Sequence, residues 1–129
     1  MKKKTIISLC IIAVVCFACF AQALAAGNNV TRGTVAFSSG MPKVAGTTNQ
    51  YNPYAIASVG LPEQLSVGFT LYKVVNGNEI YITSDSDGGY GNYFEAEAVV
   101  TLSKGTYKLY AYYRGETKSD GSVKVYNID

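Results

Sequence analysis

Residues 65–83 read LSVGFTLYKVVNGNEIYIT and contain the pattern that decides the fold. Their first eight residues alternate between apolar and small or polar side chains, which is typical of a strand that buries one face. Asn76 and Gly77 follow, the dipeptide preferred in two-residue hairpin turns because both positions tolerate positive φ. The stretch therefore predicts a β-hairpin in which Val75 pairs with Asn78.

The two-residue turn also sets the register of this hairpin. It pairs Leu71 with Ile82 and Tyr72 with Tyr81, so that apolar side chains meet on the inner face and two tyrosines meet on the outer face. A loop one residue longer would place Leu71 opposite Thr83 and mix the two faces. The two-residue register is therefore the predicted one.

The same period of two continues through the rest of the chain, with turn residues about every 8–12 positions, as in a sandwich or barrel. Further strands are predicted at 30–37, 43–47, 54–59, 93–102, 107–113 and 122–128, with a loop at 85–92. No stretch has a helical period. The predicted fold is an all-β antiparallel sandwich of about eight strands.

The strands at 93–102 and 107–113 are separated by a short turn, and direct pairing across it is one arrangement open to them. This pairing would place Val100 opposite Leu109 on the inner face. It would also place Glu95 opposite Arg114 on the outer face.

The segment 102–109, Leu-Ser-Lys-Gly-Thr-Tyr-Lys-Leu, resembles a strand entry of immunoglobulin-like and fibronectin-like sandwiches. In those folds a tyrosine that follows a turn anchors a corner of the sheet. The resemblance covers these eight residues and implies a β-sandwich architecture with Tyr107 at such a corner. Because these folds host many functions, the resemblance implies none in particular.

The first 25 residues have the three regions of a secretory signal peptide. Three lysines at positions 2–4 are followed by an uncharged apolar run at 5–20 and then by small residues up to Ala25. The run is shorter than the ~20 residues that a membrane-spanning helix needs. Cleavage after Ala25 is predicted, which leaves residues 26–129 as one exported domain that meets the membrane only during export.

Removal of the signal peptide changes the chemistry of the chain. All three cysteines lie within it, so residues 26–129 have no disulfide and no thiol chemistry. Eleven basic residues less three lysines leave eight, against nine acidic residues, so the net charge becomes −1. This charge gives no electrostatic reason to bind nucleic acid.

Glu95 and Glu97 are two carboxylates on one predicted strand face. Paired carboxylates carry out glycoside hydrolysis, so a small glycoside hydrolase is one hypothesis. The favoured interpretation is a solvated face neutralised by Lys108 and Arg114 across the strand. The chain has no histidine to activate a hydroxyl nucleophile. No catalytic residue is therefore predicted, and the protein is expected not to be an enzyme.

Asp85 and Asp87 lie in a glycine-rich segment at 85–92, a composition found in calcium-binding loops. The helix–loop–helix calcium pattern is not met, because its twelfth position would be Ala96 rather than a glutamate. A flexible connector is the favoured interpretation, with Asp85 and Asp87 as weak metal candidates. No metal or other cofactor is predicted.

Eleven tyrosines are the strongest compositional feature of the chain. Tyr107 and Tyr113 fall in the inner pattern of their strand. Four others fall on outward faces: Tyr72, Tyr81, Tyr110 and Tyr112. Exposed tyrosines offer stacking area and hydroxyl groups at low entropic cost, as in many interfaces, although tyrosine also suits half-exposed strands in general.

The sequence thus predicts a secreted, non-enzymatic binding or assembly module, with these four tyrosines as its candidate binding surface. The expected partner is an unidentified protein or cell-surface component. A secreted antagonist of the bacteriocin or toxin kind is the first alternative, and the hydrolase that uses Glu95 and Glu97 is the second.

Overall fold

The computed structural model describes residues 34–129, so the predicted signal peptide and the start of the strand predicted at 30–37 lie outside the described residues. The secondary structure of the described part consists of seven β-strands: β1 Val35–Gly40, β2 Gln50–Tyr51, β3 Tyr54–Val75, β4 Asn78–Glu97, β5 Val100–Thr101, β6 Gly105–Arg114 and β7 Ser119–Ile128. The prediction of an all-β chain is confirmed for these residues. Among them there is no helix of the length and apolar character needed to cross a bilayer.

Five strands form one curled antiparallel sheet, and β2 and β5 form a separate two-stranded sheet. The long strand β3 is the centre of the larger sheet. One edge of β3 pairs with β4, while the other edge pairs first with β1 and then with β6. β7 continues the sheet beyond β6.

The turn between β3 and β4 is the predicted two-residue turn. Asn76 and Gly77 have φ angles of 53° and 80°, and Val75 pairs with Asn78. Two successive positive φ angles match the right-handed twist of the flanking strands, which is why this turn type favours Asn-Gly. The predicted hairpin is confirmed at its turn.

The predicted register is right for the tyrosines and wrong one residue further on. Tyr72 pairs with Tyr81, but Leu71 pairs with Thr83 instead of Ile82, because the register shifts between Leu71 and Tyr72. A bulge of this kind places one extra residue, Ile82, in β4. Leu71 stays fully buried, and Ile82 still packs against the core.

Residues 85–92, predicted as a loop, belong to β4 and pair with β3 as far as Gly91. The ribbon of β3 and β4 is interrupted at a larger register shift between Ser58 and Glu63. Pro62 lies within this shift, where its missing N–H removes no ladder hydrogen bond. Pro62 therefore marks an irregularity within one continuous strand.

β4 curves so strongly that its two halves approach each other. The Asp85 carboxylate oxygen Oδ2 accepts a hydrogen bond from the backbone N–H of Glu97, twelve residues away, at 3.0 Å. Twelve residues of straight strand would span ~40 Å. The curl therefore brings opposite ends of the same strand together.

Two carboxylates fasten the turn after β6 to the irregular part of β3. The fully buried Glu63 accepts the backbone N–H of Glu116 through Oε2 at 2.8 Å. In return, Oε2 of Glu116 accepts the N–H of Gln64 at 2.8 Å. This reciprocal pair of hydrogen bonds holds the turn after β6 against β3.

The strands predicted at 93–102 and 107–113 do not pair directly with each other. Glu95 lies opposite Ile56 of β3, whereas β6 pairs with β3 and β7. After β4 the chain leaves the larger sheet, because Val100 and Thr101 pair with β2. The short turn therefore joins two sheets and does not close a hairpin.

The remaining strand predictions differ in their outcome. The strand predicted at 54–59 is the first part of β3, and the one at 122–128 lies within β7. The strand predicted at 43–47 is reduced to a single bridge between Lys43 and Tyr51.

The core is built from the predicted inner residues of β3 and β6, which are all buried: Leu65, Val67, Phe69, Leu71, Tyr107, Leu109, Ala111 and Tyr113. Tyr107 is 1% exposed, and its hydroxyl donates to the backbone carbonyl of Ser103 at 2.7 Å. The bond connects Tyr107 to the turn that precedes β6. Because of this hydrogen bond, the hydroxyl group of a core tyrosine is buried without being left unpaired.

Candidate functional site

The four tyrosines predicted to point outward lie on one face of the sheet made by β3, β4 and β6. Tyr72 is at the centre of this tyrosine face, which comprises Tyr72, Tyr81, Tyr110 and Tyr112. The centroid of the Tyr72 ring is 6.4 Å from that of Tyr81 and 5.5 Å from that of Tyr110, and both contacts are edge-to-face. Pairs of this geometry add about 0.5–1.5 kcal/mol beyond the burial of area. Three of the four rings therefore form a connected cluster.

Tyr112 extends the face along β6 and lies opposite Gly68 of β3. A Cβ atom on Gly68 would be 2.5 Å from the Tyr112 hydroxyl oxygen. The ring thus occupies the space that a side chain at Gly68 would fill, an arrangement by which aromatic rings compensate for a glycine in a sheet. Tyr112 remains 46% exposed and Tyr81 58% exposed, so both are accessible to a partner.

Polar contacts orient the rings. The Tyr110 hydroxyl donates to the two carboxylate oxygens of Glu79 at 2.9 and 2.7 Å, and Lys108 forms an ion pair with the same carboxylate at 3.4 Å. The hydroxyl oxygens of Tyr81 and Ser84 are 2.9 Å apart and hydrogen-bonded. Rings held in this way lose little rotational freedom when a partner binds.

The Glu79 carboxylate raises the pKa of the Tyr110 hydroxyl, mainly through the hydrogen bond that it accepts. The bond requires the protonated phenol, so its stabilising effect is present below the usual tyrosine pKa and is lost as the pH rises through the raised pKa.

We expect Glu79→Gln to lower the pKa of Tyr110, because a neutral amide no longer disfavours the phenolate. A titration of ring-labelled tyrosine by NMR measures this directly. Lys108→Met is the matched control, since it removes the ion pair and leaves the Tyr110–Glu79 hydrogen bond in place, so the pKa should stay raised. An unchanged Tyr110 titration in Glu79→Gln would contradict the assigned contact.

Two valines on β7 extend the exposed apolar surface beyond the tyrosines. Val123 pairs with Tyr110 and Val125 pairs with Lys108, and the valines are 54% and 56% exposed. Side chains of paired residues lie on the same face of a sheet, so these valines adjoin the tyrosine face. The sequence reasoning did not include them, although their alternation with Ser122 and Lys124 is a visible signal.

The two weak metal candidates bind the backbone of their own strand. Asp85 accepts the N–H of Glu97 at 3.0 Å, and Asp87 accepts the N–H of Glu95 at 3.4 Å. Among the strands of residues 34–129, β4 pairs only with β3, so these N–H groups require acceptors of another kind. The same part of the chain contains no group of three or more acidic, histidine or cysteine residues placed to hold a metal ion.

Glu97 is buried at 2% exposure, which corrects the prediction of a solvated Glu95–Glu97 face neutralised by Lys108 and Arg114. The reason is the neighbouring strand: Glu97 pairs with Tyr54 of β3, and β6 is elsewhere in the sheet. Neither carboxylate oxygen of Glu97 has a hydrogen-bond partner within residues 34–129. A general acid must reach the oxygen of the scissile bond, so the burial of Glu97 removes geometric support from the hydrolase hypothesis.

Comparison of the chain with known proteins finds no matching family model and no curated protein of significant similarity.

Proposed function

We propose that this protein is a secreted, non-enzymatic binding or assembly module that uses the tyrosine face to hold a protein or cell-surface partner. The carrying observation is that Tyr72 contacts both Tyr81 and Tyr110 on the face that also bears the exposed ring of Tyr112. Residues from three strands contribute side chains to this face of the sheet.

The chemistry of the patch suits recognition. Tyrosine rings supply large contact areas and hydroxyl groups with few rotatable bonds, so binding costs little entropy. The contacts of Tyr110 with Glu79 and of Tyr81 with Ser84 hold two of the rings in place before a partner arrives. Because rings that are already held in place lose less entropy on binding, more of the interaction energy contributes to affinity.

Two further parts of the proposal rest on sequence patterns. The lysines at positions 2–4, the apolar run and the small residues up to Ala25 support export and cleavage. The corner hydrogen bond of Tyr107 and the strong curl of β4 support a sandwich arrangement of the larger sheet, in which its two halves pack on one core.

Replacement of all four tyrosines of the face by serine should leave the domain folded and abolish partner binding. Interface aromatics at hot spots each cost about 2 kcal/mol or more of binding free energy, which is roughly a thirtyfold loss of affinity per residue. Capture of partners from the native surroundings, with wild type and the quadruple variant compared side by side, measures this. Thermal unfolding checks that the variant is folded.

The matched control is Tyr90→Ser. Tyr90 is 64% exposed but pairs with Gln64, four residues along β3 from Gly68. Its replacement should leave both folding and partner capture unchanged. A folded quadruple variant that retains every partner would refute the proposed role of the tyrosine face.

A further inference from the structure

β7 has the properties of a strand that is open to pairing. All ten residues of β7 pair with β6 without a register shift. Among the strands of residues 34–129, β7 has no neighbour on its other edge. The N–H and C=O groups along such an edge form a template for a further strand.

Two of the usual devices that protect an edge strand, a proline and a bulge, are missing from β7. Its exposed outward residues include Val123 and Val125. Its one lysine, Lys124, directs its ammonium group to the backbone carbonyl of Ser39 at 2.5 Å. A lysine on an edge strand commonly blocks further pairing, but the ammonium group of Lys124 is hydrogen-bonded to Ser39 of β1.

The charges of β7 are complementary to those of a second β7. Asp120 and Lys124 lie symmetrically about Ser122. If two copies pair antiparallel about a twofold axis at Ser122, each Asp120 lies opposite the Lys124 of the other copy, which gives two favourable cross-strand pairs. An ammonium group has three N–H donors, so Lys124 can keep its bond to Ser39 and donate to the Asp120 carboxylate of the second copy.

Other registers lack this match. An axis at Lys124 would place two lysines opposite each other, and an axis at Val123 would leave each Asp120 opposite Tyr126. Side chains alternate between the two sides of a strand, and paired residues must point to the same side of the sheet. The second copy can therefore shift only to registers that keep the outward faces of both strands on the same side. The charges therefore select the axis at Ser122.

We propose that a second copy of this chain pairs with the free edge of β7, in antiparallel orientation and with the twofold axis at Ser122. The axis runs perpendicular to the sheet, so the outward faces of both copies lie on the same side. The dimer thereby joins two tyrosine faces, with Val123 and Val125 of both copies between them. The pairing itself does not depend on the proposed binding function.

Single cysteines test the register, because residues 26–129 contain no cysteine. Across the axis, the two copies of residue 122 are about 4.5–5.5 Å apart between Cα atoms, within the range of a disulfide. Ser122→Cys should therefore form a covalent dimer under mild oxidation. Val125→Cys is the control, since residue 125 lies opposite residue 119 and should not cross-link.

Charge reversal tests the pairing without any new thiol. By sedimentation equilibrium of residues 26–129, Asp120→Lys should weaken self-association by about tenfold or more, because two attractive pairs become repulsive. The double exchange of Asp120→Lys with Lys124→Asp should restore it. The four-tyrosine serine variant should still dimerise, which separates this proposal from the binding function.

Three outcomes would overturn the proposal. The wild-type chain could remain monomeric at the concentrations of sedimentation equilibrium. Folded Ser122→Cys could fail to cross-link, or Val125→Cys could cross-link equally well. Failure of the charge exchange to restore association would reject the register in the same way.

Discussion

Phe69→Ala should lower the free energy of unfolding by about 3–5 kcal/mol, which is the usual cost of removing a buried phenylalanine ring. Phe69 is 1% exposed and lies at the middle of β3, where it pairs with Ala111 of β6 and Asp85 of β4. Its neighbour Ala111 is too small to fill the space that the ring would leave. The cavity therefore persists and adds to the lost transfer free energy.

Urea denaturation followed by circular dichroism measures the change for Phe69→Ala. Val123→Ala is the control, because Val123 is 54% exposed and surface substitutions usually shift stability within ~0.5 kcal/mol. A loss below about 1 kcal/mol for Phe69→Ala would mean that the ring is not at the centre of the core.

Glu97→Met should raise the free energy of unfolding by about 1–3 kcal/mol, since the substitution removes the desolvation penalty of a buried polar group. Glu97 is 2% exposed, and its carboxylate oxygens have no hydrogen-bond partner within residues 34–129. Methionine has a similar length and flexibility, so it can fill the same space. The backbone N–H of Glu97 keeps its bond to Asp85 in the variant.

The matched control for this substitution is Glu97→Gln, which replaces the carboxyl group by an amide and leaves a buried polar group. It should give a smaller gain than Glu97→Met in the same urea experiment. A stability loss of several kcal/mol in both variants would show that the carboxylate of Glu97 has a partner that stabilises it. Loss of a glycan-cleaving activity in a folded Glu97→Gln variant would restore the hydrolase hypothesis.

Local sequence pattern predicts part of the tyrosine face, and long-range strand pairing decides the rest. Alternation along β6 is enough to place Tyr110 and Tyr112 on one face, and the Asn-Gly turn is enough to place Tyr72 opposite Tyr81. The contact between Tyr72 and Tyr110 needs β3 to lie beside β6. The sequence analysis did not predict that neighbour, because strand order depends on long-range pairing.

The acidic residues show the opposite case. Glu95 and Glu97 read as a solvated pair because alternation shows only which side of a strand a residue occupies. It does not show what covers that side. The curl of β4 brings Asp85 to the backbone of Glu97, and the sheet buries Glu97 itself.

The all-β class, the Asn76–Gly77 turn, and the inner and outer faces of β3 and β6 can be predicted from the amino-acid sequence, because each follows from residues a few positions apart. Three features are visible only in the folded chain: residues 85–92 continue a strand, Ile82 lies in a bulge, and 93–97 pair with 54–58. These features depend on which strand edges meet once the ribbon curls. Neighbouring residues do not encode that choice, since a strand with one apolar face can pair with any complementary edge.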